Sequence, residues 1–291
     1  MNMTSINLIL MSAVLSSMLF STPAFARRDD DLLYLQMDER TSDMAVSTPS
    51  KFRGFIGAEI NYSRGIIENA PYRARLIPLF LIEYDHWIYV KGGYARGGGE
   101  VGAWLLRSDD QRWKFGASIK RHVPAQYGSP YYGTQHLSGM ATRRDSIDGV
   151  VNAEWKIENN YLHMSYYRDI GDVSNGDSAI LILGHNFNFK QALFDRDFRL
   201  APSASLEWCS DNLVDYYYGV RPGEAAPGRP SYDGRETFIV GARLTAFLRV
   251  RRDTVLFVGS QAVHFGSGIT DSPLVTRSDT IRGYFGAVWR F

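Results

Sequence analysis

The chain lacks most features that announce a protein class. It has one cysteine, Cys209, in 291 residues. No intramolecular disulfide can form, so a small disulfide-stapled domain is excluded. Neither sign of charge dominates: 32 Lys and Arg stand against 31 Asp and Glu, a formal net charge of +1. That excludes a strongly basic nucleic-acid binder and a long acidic tail. Mean hydropathy is −0.22. After the first 26 residues no run approaches the ~18 apolar residues that a membrane-spanning helix needs. No G-x-S-x-G, H-E-x-x-H, C-x-x-C, P-loop or dinucleotide fingerprint occurs. What the chain does have is rings and glycine: 6 Trp, 17 Tyr, 16 Phe and 27 Gly. Such a chain is a large soluble β-protein, or one that hides its apolar surface by alternation.

Residues 1–26 carry no charged side chain and no histidine. Ile6 to Phe20 is mainly apolar, and Ala24-Phe25-Ala26 precedes Arg27-Arg28 and Asp29-Asp30-Asp31. This is the pattern of a secretory signal peptide cut after Ala26, without the usual basic start. Residues 27–50 are polar and read as a flexible periplasmic arm; residues 51–291 form the folded part. Cys209 does not follow the cleavage site, so it is no lipid anchor. In Glu207-Trp208-Cys209 it reads as a small buried or lipid-facing residue.

From Lys51 onward the apolar pattern has period two. Trp113, Phe115, Ala117 and Ile119 alternate with Lys114, Ser118 and Lys120. The same alternation runs through Ile147 to Ile157, Thr237 to Arg249 and Ile281 to Phe291. It predicts strands with one apolar and one polar face, about twelve in all. The strand near 178–189 has an ambiguous register, and Pro78 implies a bulge or bend in the strand near 74–84. Connections then alternate by parity. Asp85-His86, Ser108 to Gln111, Glu158-Asn159, Lys190 to Arg196 and Val250 to Asp253 are short, while most of the others are long. Short turns on one side and long loops on the other predict an all-β, transmembrane, antiparallel up-and-down barrel.

The tryptophans agree. Trp87, Trp113, Trp155 and Trp289, with Tyr161, lie near the short-turn strand ends, as an aromatic belt at a membrane rim would. The polar face would line the lumen with Lys114, Lys120, Glu154, Arg243 and Arg282, joined by Asp148, Glu207, His163 and His264. Mixed signs in a barrel of this size predict a narrow or plugged interior. Phe291 ends an aromatic-rich strand. With Phe285 and Trp289 it resembles the signal read by the barrel-assembly machinery, and outer-membrane lipid is the other expected contact.

Some segments go further than any barrel would require. Arg75-Leu76-Ile77-Pro78-Leu79, Tyr216-Tyr217-Tyr218-Gly219-Val220, Ser231-Tyr232-Asp233, Asp271-Ser272-Pro273-Leu274-Val275 and the closing Gly283 to Phe291 resemble the MipA/OmpV family of outer-membrane barrels. The resemblance covers roughly 52–291. It implies a Gram-negative outer-membrane location and a non-enzymatic role without cofactor. It also implies a scaffold that organises peptidoglycan hydrolase and synthase partners such as a lytic transglycosylase. The long loops carrying Tyr216 to Val220 would face outward. A small-solute channel is the alternative; an outer-membrane hydrolase, which needs a Ser/His or Asp/His pair at the barrel rim, is the second. No spacing suggests a metal site, and His122 and His136 read as solvated loop residues.

Overall fold

The computed structural model describes residues 51–70, 72–92, 99–110, 112–122 and 135–291. The expected signal peptide 1–26, the arm 27–50 and part of the loop after His122 lie outside the described residues. Thirteen β segments follow one another. They are β1 (Phe52–Arg64), β2 (Tyr72–Tyr84), β3 (Ile88–Gly92), β4 (Glu100–Arg107), β5 (Trp113–His122), β6 (Ser146–Ile157), β7 (Asn160–Asp169), β8 (Asp177–His185), β9 (Phe187–Leu193), β10 (Arg196–Cys209), β11 (Thr237–Arg249), β12 (Thr254–Phe265) and β13 (Asp279–Arg290). Neighbours pair antiparallel, and β13 returns to pair with β1. Since β8 and β9 both pair with β10, they are one interrupted stave. The result is a closed antiparallel barrel of 12 staves.

Burial follows the alternation, with the apolar side outside. On β5, Trp113, Phe115 and Ile119 are exposed while Lys114 and Ser118 are buried. On β6, Ile147, Val151 and Trp155 are exposed while Asp148 and Asn152 are buried. A soluble sheet would reverse this, because water would solvate the polar face. The short connections are tight. Asp85 and His86 have φ of 48° and 60°, and Phe194 and Asp195 have 51° and 53°. Paired positive φ values suit two-residue hairpins, whose twist matches that of the strands.

The abundance of Tyr and Gly has a local cause. Tyr89, Tyr161 and Tyr284 point inward, and each lies opposite a glycine on the next strand: Gly102, Gly184 and Gly259. A Cβ on Gly184 would sit 2.1 Å from the Tyr161 ring, and one on Gly102 or Gly259 would be 2.4 Å from its tyrosine. The glycine makes room for the ring, and the ring covers the bare backbone. Gly184→Ala should therefore lower the urea midpoint of the barrel refolded in lipid vesicles. The expected loss is about 1–3 kcal/mol from overpacking. An unchanged midpoint would remove this account of the pairing.

Four sequence expectations need correction. Tyr161 is 2% exposed and sits inside with Val150, Tyr167, Ile180 and Ile182, so it is not in the belt. It shares parity with inward-facing His163. His264 faces outward and meets Asp279 at 2.9 Å. Its neighbours Val263 and Phe265 take the inward side because apolar loops pack there. Pro78 makes no bulge against β1: the register runs through Ala58↔Pro78 without a shift. The described pairing of β2 with β3 starts at Phe80↔Gly92, beyond Pro78. Finally, the segment near 178–189 is broken at Asn186. Pairing of β10 with β8 stops at Ser203↔Gly184 and resumes with β9 at Leu200↔Phe187. Pro202 faces the gap, and proline has no N–H for that ladder.

Candidate functional site

The mouth on the long-loop side is closed by the loops themselves. After β10, Ser210 begins α1 (Asp211–Tyr218), accepting the Leu213 N–H at its hydroxyl, 3.4 Å. An N-cap serine satisfies one of the first-turn donors. Gly219 ends the helix by donating its N–H to Asp215 O, 2.8 Å. Leu213, Val214, Tyr217 and Tyr218 form the buried face of α1. They pack on Ile66 and Ile67 from the β1–β2 loop and on Leu137 and Met140 from the β5–β6 loop. The same cluster holds Ile269, from the short helix α2 (Ser267–Thr270), and Leu274 beyond it. It also holds the inward strand-end side chains Cys209, Ile239, Val263 and Phe265. The cluster draws its members from loops and strand ends on several sides of the ring.

Polar bonds lock the cap. Arg143 meets Glu224 in a fork, Nη1 to Oε1 at 2.7 Å and Nη2 to Oε2 at 2.8 Å. Its Nε donates to Tyr216 O at 2.7 Å. Glu224 also accepts the backbone N–H groups of Ala141 (3.1 Å) and Arg221 (3.2 Å). The Arg143 hydrogen bonds, aided by these N–H groups, hold the Glu224 carboxyl down at about 2. Arg229 donates to the carbonyls of Glu224, Ser138 and His136. The two loop motifs touch: Ser272 Oγ donates to Tyr218 O at 2.6 Å. Tyr232 OH donates to Gly268 O at 2.8 Å.

The loop with Tyr216 to Val220 lies on the long-loop side and folds over the mouth, so its tyrosines do not project into solvent. Its tyrosines are apolar enough to seal the opening once their carbonyls find donors. The histidines are not solvated either. His122 stacks on Tyr217 with centroids 5.1 Å apart, and His136 bonds Pro273 O at 2.7 Å. The resemblance to a family pointed to these loops; only the packing gave them a role.

Below the cap the lumen-facing set divides in two. On the β2–β7 wall, Glu83 accepts from Arg53 Nε (2.7 Å), Trp104 Nε1 (3.2 Å) and Lys114 Nζ (3.4 Å). Glu100 gathers Lys91 (3.3 Å), Lys120 (3.9 Å), Tyr89 OH (2.9 Å) and Ser118 Oγ (2.8 Å). Glu154 lies 3.8 Å from His163. On the opposite wall, Arg243 and Arg282 both lie over the Tyr284 ring, 5.3 and 5.5 Å from its centroid. Near the periplasmic end that wall turns apolar: Phe55, Phe247, Val255, Phe257 and Val288 pack inward. Alternation alone had promised polar side chains there.

One pair has the chemistry of a nucleophile. Ser165 Oγ lies 2.7 Å from His163 Nε2, and both are buried in the wall. Ser165 also donates to Asn152 Oδ1 at 2.7 Å. Asn152 Nδ2 in turn donates to Tyr89 OH at 3.0 Å, which fixes its oxygen toward the serine. A hydroxyl has one proton. With that proton given to Asn152, His163 Nε2 must carry its own and donate to the serine. This is the reverse of a general base. The pair lies inside the barrel, not at its rim. Among the described residues no group of three or more His, Cys, Asp or Glu could hold a metal ion.

Around the outside, Trp87, Trp113, Trp155 and Trp289 are exposed at the short-turn ends, and Trp113 pairs with Trp155 across β5 and β6. Phe285 is exposed on β13. Phe291 closes the β1–β13 seam: it exchanges two backbone hydrogen bonds with Gly54, each 3.1 Å, and stacks on Trp289.

Comparison with known proteins follows this geometry. The chain is similar to "Putative outer membrane protein YiaT" of Escherichia coli, from strain K12 and from O157:H7. Each is 26% identical over 253 residues, which is 85% of this chain and 94% of the relative. Among solved structures it is similar to the NanC porin, with TM-score 0.44, 10% identity, 81% of this chain and 100% of that one. An outer membrane channel of Pseudomonas putida F1 gives TM-score 0.38, 11% identity, 86% of this chain and 98% of that one. The model of the family described as MltA-interacting protein MipA matches residues 55–291. With its capped mouth, its closing strand and all of the barrel but the first three residues of β1 inside that match, the chain belongs to the MipA family of outer-membrane β-barrels.

Proposed function

We propose that this barrel is a non-catalytic scaffold, and that its periplasmic side organises peptidoglycan hydrolase and synthase partners, a lytic transglycosylase among them. The observation that carries this is closure. An apolar cap crosses the outer mouth, and a second apolar cluster packs inward near the periplasmic end. A barrel blocked at both ends would act through its surfaces. The family takes its description from an interaction with MltA, and the same class of partner is proposed here. Exposed Trp87, Trp113, Trp155 and Trp289 would anchor the barrel at the headgroup level. Phe285, Trp289 and Phe291 would serve as its assembly signal.

Crosslinking in the native envelope should recover murein enzymes from the periplasmic turns. Planar bilayers should show no nanosiemens steps, and liposomes should not swell with sugars or amino acids. Conductance without any murein partner would establish a channel instead. The buried Ser165–His163 pair makes the hydrolase reading testable as well. A fluorophosphonate probe should leave the purified protein unlabelled; labelling that Ser165→Ala abolishes would overturn the non-catalytic assignment.

A further inference from the structure

One row of inward side chains crosses the six adjacent strands from β10 round to β2. In register it reads Ser203, Arg243, Gln261, Arg282, Ser63 and Arg73. It holds three arginines and no carboxylate. The next inward row toward the periplasm, with Thr245, Tyr284, Asn61 and Arg75, holds no carboxylate either. On these strands inward Glu59 and Glu207 stand four residues from Ser63 and Ser203, ~13 Å along their strands. Asp279 faces outward to His264, and Glu68 in the β1–β2 loop meets His136 at 3.1 Å. Arg282 lies over the Tyr284 ring, and neither it nor Arg73 makes a side-chain ion pair or hydrogen bond among the described residues. Arg282 Nε is buried without a partner. Asn61 is 0% exposed, yet its Oδ1 has no partner and its Nδ2 reaches Glu59 only at 3.5 Å.

Apolar clusters bound this basic band. Ile239, Val263 and Phe265 pack into the cap on one side, and Phe55, Phe247 and Phe257 pack inward on the other. Arg282, Ser63 and Arg73 are half-buried, so they open on the lumen. An uncompensated arginine between apolar layers is unfavourable, and a guanidinium meets a phosphate through two parallel N–H bonds. Strands β13 and β2 flank β1, which sets Arg282 and Arg73 ~10 Å apart at the backbone, within reach of one diphosphate above Ser63. We infer that this row is a binding site for a small phosphate-bearing solute inside the barrel, held by Arg282, Arg73 and the Ser63 hydroxyl between them. The Tyr284 ring, 5.5 Å from the Arg282 guanidinium, orients it. The Asn61 amide, turned about its last bond, presents an N–H from the row below. Binding here requires no passage through the barrel, so the inference goes beyond the scaffold reading and does not rest on it.

The test is equilibrium urea unfolding of the full chain refolded in lipid vesicles. Inorganic pyrophosphate is compared with sodium chloride of equal ionic strength, with EDTA in both. A ligand that binds only the folded state raises the midpoint at equilibrium even where the cap slows its entry. Pyrophosphate should raise it. Arg282→Gln or Arg73→Gln should weaken the apparent Kd at least about tenfold, as for the loss of a charged hydrogen bond. Arg168→Gln, at an exposed position on β7, should keep the rise of the parent. Heat-modifiable mobility on gels verifies that each variant folds, and each is compared with its own midpoint in chloride. Phosphates also strengthen burial in general by exclusion from protein surfaces, which would raise parent and variants alike. A rise that either Arg282→Gln or Arg73→Gln keeps in full would therefore overturn the inference. So would a rise that Arg168→Gln loses equally, or a parent midpoint no higher in pyrophosphate than in chloride.

Discussion

Replacing Arg143 with alanine should open the outer mouth. The substitution leaves the Glu224 carboxylate buried without the fork that neutralises it. It also removes donors from the carbonyls of Tyr216 and Gly219 at the end of α1. Breaking a buried pair from one side costs about 3–5 kcal/mol. The cap is held by loops, so this loss should appear as local opening before the barrel unfolds. Protease added to intact cells should then cut between Asp211 and Arg235, and planar bilayers should show new conductance. Resistance equal to the parent would mean that apolar packing alone holds the cap. Acid should have the same effect. The Glu224 carboxyl lies at about 2 against an ordinary 4.5. A depressed carboxyl stabilises the fold fully above its unfolded value and loses that effect as pH falls toward its folded one. The shift corresponds to about 3 kcal/mol. Cap protection should stay flat above pH 4.5 and decline progressively toward pH 2.

The second large effect is expected inside the barrel. Glu83 is the carboxylate that Arg53, Lys114 and Trp104 share. Glu83→Ala removes the opposite charge from around Lys114, which is 1% exposed. The expected loss is about 3–5 kcal/mol, read as a lower urea midpoint. Adding Lys114→Met should restore most of it, because an apolar replacement of a buried pair is often neutral. If the double variant is no more stable than Glu83→Ala alone, the cost lies in the Arg53 and Trp104 contacts.

Much of the barrel could be read from residue order. Alternation at Trp113 to Lys120 and at Ile147 to Ile157 predicted which side faces lipid, and the structure places Trp113, Ile147 and Trp155 outside. Connection lengths predicted the topology. Tyr161 was misplaced although the signal was present, since it shares parity with His163 and so had to point inward with it. The break at Asn186 was signalled only by Pro202, on a different strand, and its meaning depends on register between β8 and β10.

The cap left no such trace. Arg143 and Glu224 are 81 residues apart, and neither has a local pattern that marks it as buried. His264 likewise took its direction from loops packed on Val263 and Phe265. This marks the division between the two levels. A strand's faces are fixed by a period of two, which is local and legible in the sequence. The barrel, its orientation and its lipid-facing side follow from it. What fills a closed barrel is decided by distant loops meeting over one opening. There burial, paired charge and the fit of Tyr217 against His122 arise only once the ring has closed.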